Sequence, residues 1–152
     1  MRVVLDTNVL LSLYVFSDSC FAPLRSCIEA GSWLALTNAV CLDEFRRVLA
    51  YPEFALEAAA QQAALDSYCA CAVAVPGTTQ ERFSLPRCSD NDDQKFLELA
   101  RDGHAHSLIT SDKALLVLAR RRKMAGRFRI IGPEVALSEL APVAKGIPAP
   151  MR

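Results

Sequence analysis

The chain has 152 residues, 52% of them apolar, and its 17 basic side chains balance 17 acidic ones. That length and apolar content fit one domain with a substantial buried core and exclude an extensively disordered chain. The zero net charge excludes a globally basic nucleic-acid binder but is compatible with a local basic patch, because steering follows the distribution of charge.

Arg2 to Leu5 reads as a short buried strand, and Val9 to Phe16 as the helix after it. That first apolar run is too short for a secretory leader and runs into Asp6. No stretch reaches the ~20 apolar residues of a membrane span, so no membrane partner is expected and the expected location is the cytoplasm. Ser17-Asp18-Ser19 offers caps for a second helix from about Cys20 to Ala30, which Gly31 ends. Trp33 to Leu36 is a second strand. Thr37 or Asn38 caps a helix over Ala39 to Ala50, with Val40, Phe45, Val48 and Leu49 expected on one face, and Pro52 interrupts.

Glu53 to Ala72 is alanine-rich and expected to be helical, since alanine has the best helix propensity. Cys71 to Val75 suggests a third strand, closed by the turn signal Pro76-Gly77, with a loop over Thr78 to Pro86. Ser89-Asp90-Asn91-Asp92 is a helix-start cluster, and Phe96, Leu97, Leu99 and Ala100 give the next helix its apolar face. Ser107 to Thr110 is a fourth strand, followed by a helix over Lys113 to Arg121. Phe128 to Ile131 is a fifth strand and Pro133 to Leu140 a last short helix. The domain is therefore expected over residues 1–141, with Pro142 to Arg152, which holds three prolines, as a flexible tail. Of the six cysteines none forms a CxxC, and most sit among apolar neighbours as inert thiols. His104 and His106 fall in the loop before the fourth strand, where a surface or structural role is expected.

Short apolar strands alternating with helical patterns argue for a parallel sheet covered on both faces. Right-handed crossovers place the strand carboxyl ends on one edge, where such sheets bind ligands. Asp6 follows the first strand and Asp112 the fourth; Asp93 opens a helix and Glu44 lies inside one. Each has an ordinary alternative. Asp6 and Asp112 suit helix caps, Asp93 suits the positive end of a helix, and Glu44 suits a solvated helix face. Gathered in one crevice, however, four carboxylates repel, and a divalent cation relieves that repulsion. Carboxylate ligands favour Mg²⁺ or Mn²⁺, and the lack of a histidine cluster argues against zinc.

The ordered set Asp6-Thr7-Asn8-Val9-Leu10, Glu44-Phe45-Arg46-Arg47-Val48-Leu49, Asp90 to Ala100 and Leu108-Ile109-Thr110-Ser111-Asp112-Lys113 resembles the PIN-domain family, in the subgroup described as toxin components of toxin–antitoxin systems. The resemblance covers residues 1–140. It implies a three-layer α/β/α sandwich around a central, mostly parallel sheet of about five strands, and metal-dependent ribonuclease activity. It carries over Asp6, Glu44, Asp93 and Asp112 as the acidic quartet, with Asn8 and Thr110 as supporting polar positions. Asp90, Asp92 and Asp93 compete for the third acid. Asp93 is chosen because Phe96, Leu97 and Ala100 follow it at three, four and seven residues, and Asp92 is the runner-up. Asp6 and Asp93 are then expected as direct ligands of one or two Mg²⁺ or Mn²⁺ ions, Asp112 as a direct or water-mediated ligand, and Glu44 as a group that orients or deprotonates a metal-bound water.

An RNA substrate would also be held by cations. Arg120-Arg121-Arg122-Lys123 is the densest basic run, and Arg46 and Arg47 follow Glu44 on its helix. The run equally suits a helix carboxyl end. No aromatic-interleaved binding surface is apparent. The resemblance further implies an antitoxin protein covering the acidic groove, and a homodimer. Two other readings compete: a catalytically silent PIN-like domain that binds RNA or protein, and a haloacid-dehalogenase-type phosphatase. The second is disfavoured because Asn8 replaces the second aspartate of that motif and Asp92-Asp93 precedes the Thr110 strand.

Overall fold

A computed structural model describes residues 1–77 and 84–144, with side chains described as far as residue 140. Five strands form one sheet: β1 (Arg2–Leu5), β2 (Leu34–Thr37), β3 (Val73–Ala74), β4 (Ser107–Ile109) and β5 (Arg129–Ile131). Their order is β3-β2-β1-β4-β5, and every pairing is parallel. The seven helices are α1 (Thr7–Tyr14), α2 (Ala22–Glu29), α3 (Ala39–Leu49), α4 (Ala58–Cys69), α5 (Gln94–Asp102), α6 (Lys113–Leu116) and α7 (Pro133–Ala144). This is the expected three-layer α/β/α sandwich.

Side-chain alternation along β1 divides the core. Val3 and Leu5 face one layer, where they join buried residues of α1, α2, α4 and α7. Val4 faces the other, with Phe96, Leu97, Leu99 and Ala100 of α5 and Leu115 of α6. A strand buried on both faces must be apolar throughout. Each fully buried Val or Leu contributes about 1.5–3 kcal/mol. Among the described residues, no helix is long and apolar enough to cross a membrane.

Several elements differ from expectation. The alanine-rich stretch does not form one helix from Glu53. Pro52–Phe54 is a single 3-10 turn, Ala55 takes a left-handed backbone at φ 50°, and α4 begins only at Ala58. A left-handed residue ends any helix register, which outweighs alanine propensity. The second helix starts later than Cys20, because Ser19–Phe21 is a 3-10 turn. On α3 the buried residues are Cys41, Phe45 and Leu49, a four-residue stripe, whereas Val40 is 59% exposed. The helix expected to reach Arg121 stops at Leu116 and passes into the 3-10 segment Val117–Arg120, with a second 3-10 turn over Arg122–Met124. The last helix runs on to Ala144, so the expected start of the tail at Pro142 falls inside it. Proline's φ is helical, and its cost there is the missing amide donor. The expected loop over Thr78 to Pro86 lies outside the described residues from 78 to 83, as does the tail from residue 145 on.

Candidate metal centre and cleft

The chain leaves β1 toward β2 on one side and returns through β4 on the other. The loops therefore part above the seam between β1 and β4, which is where open parallel sheets hold ligands. Leu5 is level with Ile109, and the Asp6 N–H donates to the Ile109 carbonyl at 3.1 Å. Asp6 and Thr110 thus emerge side by side.

Asp6 is 3% exposed. Its Oδ1 accepts from the Val9 N–H at 3.0 Å, capping α1, and its Oδ2 accepts from the Thr110 hydroxyl. Burial raises its pKa, and the Thr110 bond opposes the rise. The fully buried Thr110 uses the same hydroxyl oxygen to accept from the Asp112 N–H at 3.0 Å. Asp112 in turn accepts from the Ala114 N–H at 2.9 Å through Oδ1 and caps α6.

The second arm of the site is the loop into α5. Buried Gln94 clamps it, accepting from the Cys88 N–H at 2.7 Å and donating to the Pro86 carbonyl at 3.2 Å. Asp90 caps the 3-10 turn Asn91–Asp93 by accepting from the Asp92 N–H at 3.0 Å. Asp93 closes that turn, and its Oδ2 is buried with no hydrogen-bond partner. Carboxylate oxygens of Asp90, Asp93 and Asp112 all lie within 4.8 Å of one another. Burial and then the adjoining Asp112 carboxyl push Asp93 up to about 8, and the hydrogen bond from Asp93 holds Asp112 below its ordinary value.

The third arm is α3. Glu44 Oε1 is 2.6 Å from Lys95 Nζ, with both side chains about nine-tenths to four-fifths covered (14% and 16% exposed). Its Oε2 accepts from the Thr7 hydroxyl. Asp6, Asn8, Glu44, Asp90, Asp92, Asp93 and Asp112 line one cleft of about 330 Å³. A cluster of hard oxygen donors with an orphaned buried oxygen suits a divalent cation such as Mg²⁺ or Mn²⁺.

Residues 2–114 match the family model described as PIN domain. The chain belongs to the PIN-domain family. PIN domains are typically nucleases that act on RNA and use divalent metals. No curated protein matches this PIN domain.

All four expected acids line the cleft, together with Asn8, while Thr110 lies beneath it as the link between Asp6 and Asp112. The tightest grouping is nonetheless Asp90, Asp93 and Asp112. Asp90, one of the three competitors for the third acidic position in the sequence, is placed beside Asp112 by the 3-10 turn. The basic candidates lie apart. Arg46 pairs with Asp43 at 2.7 Å on an exposed face. Arg47 borders an adjoining groove that shares Glu44 and Asp92 with the cleft. Arg120 lines a separate hollow with Lys113 and Val117, and Arg121, Arg122 and Lys123 do not line the acidic cleft.

Sequence reasoning missed an aromatic wall. Tyr51 and Phe54 line the same cleft as the carboxylates, their rings parallel within 2° and 6.4 Å apart between centroids. Phe16 packs edge-on against Phe54 at 5.8 Å. The signal available in sequence was the pair of aromatics three residues apart around Pro52.

Proposed function

We propose that the protein is a metal-dependent endoribonuclease hydrolysing RNA phosphodiester bonds, with Asp6, Glu44, Asp93 and Asp112 as its catalytic acids. The observation that carries this reading is the unpartnered, buried Oδ2 of Asp93 within a group of three converging carboxylates. Leaving such a group unpaired costs about 1–3 kcal/mol, and a cation held among these carboxylates would supply the partner that Oδ2 lacks.

Asp93, Asp112 and Asp90 would hold Mg²⁺ or Mn²⁺, with Asp6 behind them. When bound, the cation lowers the pKa of a bound water and offsets charge on the phosphodiester. Thr110 fixes the distance between Asp6 and Asp112 through one hydroxyl. Asn8 is exposed at the cleft rim and offers an amide to a substrate oxygen. Glu44 is oriented by Thr7 and Lys95, so its carboxylate is fixed where it can accept a proton. Arg46 and Arg47, and Arg120, Arg121, Arg122 and Lys123, are assigned to phosphate contacts farther along the strand. The nuclease unit is taken to run through the end of α7 at Ala144.

The resemblance in the acidic motifs favours the toxin half of a toxin–antitoxin pair, working in the cytoplasm. An antitoxin protein would close the cleft, and a homodimer is the expected assembly. Growth arrest on expression that is lost with Asp93→Asn is the cellular test.

The biochemical test incubates wild type and Asp93→Asn with a panel of structured and single-stranded RNAs and Mn²⁺, with and without EDTA. Cleavage abolished by both EDTA and the substitution is the expected result. A folded, metal-loaded wild type that cuts nothing would return weight to a binding domain.

A further inference from the structure

We infer that Tyr51 and Phe54, braced by Phe16, form a stacking platform for a base of single-stranded RNA beside the carboxylates; this rests on the nuclease reading. Tyr51, which lines the acidic cleft, is 39% exposed, and Phe16, packed on Phe54 from outside the cleft lining, is 58% exposed. Exposed apolar groups gathered at one place mark binding surfaces. Backbone hydrogen bonds fix the turn that carries the rings. The Tyr51 N–H donates to the Val48 carbonyl at 3.0 Å, the Phe54 N–H to Tyr51 at 3.1 Å, and the Ala55 N–H to Pro52 at 3.0 Å. Pro52 opens the turn, and Ala55 closes it in a left-handed conformation at φ 50°, a strained choice for a residue with a Cβ.

An aromatic face accepts any nucleobase, because every base has a π-face. Bases inside an A-form duplex are covered by their neighbours and cannot reach such a face, whereas unstacked single strands can. A cleft of about 330 Å³ is at the small end of ligand sites and suits a splayed nucleotide rather than a helix. The rings and the carboxylates line the same cleft, so a base on Tyr51 or Phe54 would keep its own phosphate within the cleft that holds the acids.

The test uses the full chain carrying Asp93→Asn, which prevents cleavage, and measures fluorescence anisotropy with short oligoadenylate. The same strand is tested annealed to oligouridylate, and a matched strand carries abasic riboses. The single strand is expected to bind more tightly than the duplex. Tyr51→Ala and Phe54→Ala are each expected to weaken it about 10-fold, Tyr51→Phe is expected to retain binding, and the abasic strand should bind both Tyr51 forms equally. Equal loss for the abasic strand would show a structural role and overturn the platform. Unchanged affinity in Tyr51→Ala, with wild-type cleavage intact, would overturn it while leaving the nuclease reading in place. Absence of both binding and wild-type cleavage would overturn both.

Discussion

The hydroxyl of Thr110 donates to the carboxylate of Asp6 across the seam between the two central strands. Because the same oxygen accepts from the Asp112 amide, one buried side chain sets the spacing of two acids. Thr110→Val keeps the shape and removes the link. It is expected to lower metal affinity or cleavage by about 10–100-fold and stability by about 1–3 kcal/mol. Titration calorimetry with Mn²⁺ and urea unfolding measure the two effects, and a Val variant with wild-type metal affinity would count against the link.

The pH dependence of metal-free protein follows from Asp93. Its carboxyl is at about 8 in the fold and ordinarily at 3.8. Between those values the folded state keeps a proton that the unfolded chain has lost. Stability contributed by this group is therefore full below 3.8 and is lost as pH rises toward about 8. In EDTA, the melting temperature should fall as pH rises from about 4 to about 8, and Asp93→Asn should flatten that slope. A slope unchanged by the substitution would assign it to other groups.

Metal should reverse this. Binding to the folded state alone at about 100 times Kd stabilises by about 2.7 kcal/mol, or about 5–10 °C for a chain of this size. Differential scanning fluorimetry with Mn²⁺ and then EDTA should show the rise and its loss. Asp112→Asn should show neither, and a full shift in that variant would remove Asp112 from the ligands.

Lys95 and Glu44 act as a unit. Lys95→Met strands a covered carboxylate and should cost about 1–3 kcal/mol. Adding Glu44→Gln should cost less than the sum of the single changes. Strict additivity in urea unfolding would mean that the 2.6 Å contact carries no coupling.

Gly103 lies where a Cβ would sit 2.7 Å from Leu36 Cδ1 and 3.1 Å from both Val75 Cγ2 and the Leu99 carbonyl. Gly103→Ala should destabilise by about 1–3 kcal/mol through overpacking, with metal affinity unchanged because the site lies at the other edge of the sheet. Thermal melts and Mn²⁺ titration separate the two effects.

Asp6 and Asp112 were legible because each follows an apolar strand directly, and a strand's end is readable from four residues. Asp93 was legible from the apolar spacing of α5 behind it. What sequence could not show was the local backbone. Ala55 in a left-handed conformation has no compositional mark in an alanine-rich stretch, so Phe54 was read as part of a helix beginning at Glu53 and its pairing with Tyr51 across Pro52 was lost. The engagement of Glu44 by Lys95 was hidden for a different reason: α3 and α5 are distant in sequence, and no periodicity reports which residues meet across them.

The strand order also dictates a history. β1 is made first, yet one of its edges waits for a neighbour whose key residue, Thr110, lies 104 positions downstream. A chain emerging from the ribosome can pair β1 with β2 early, while the other edge stays bare, the exposed condition that sheets normally guard against. Until Thr110 is made and delivered, Asp6 has no hydroxyl to lean on and no second acid beside it. Nascent or prematurely terminated chains therefore carry only part of the acidic cleft, and Asp6 and Asp112 are joined only once the segment holding Thr110 has docked beside β1.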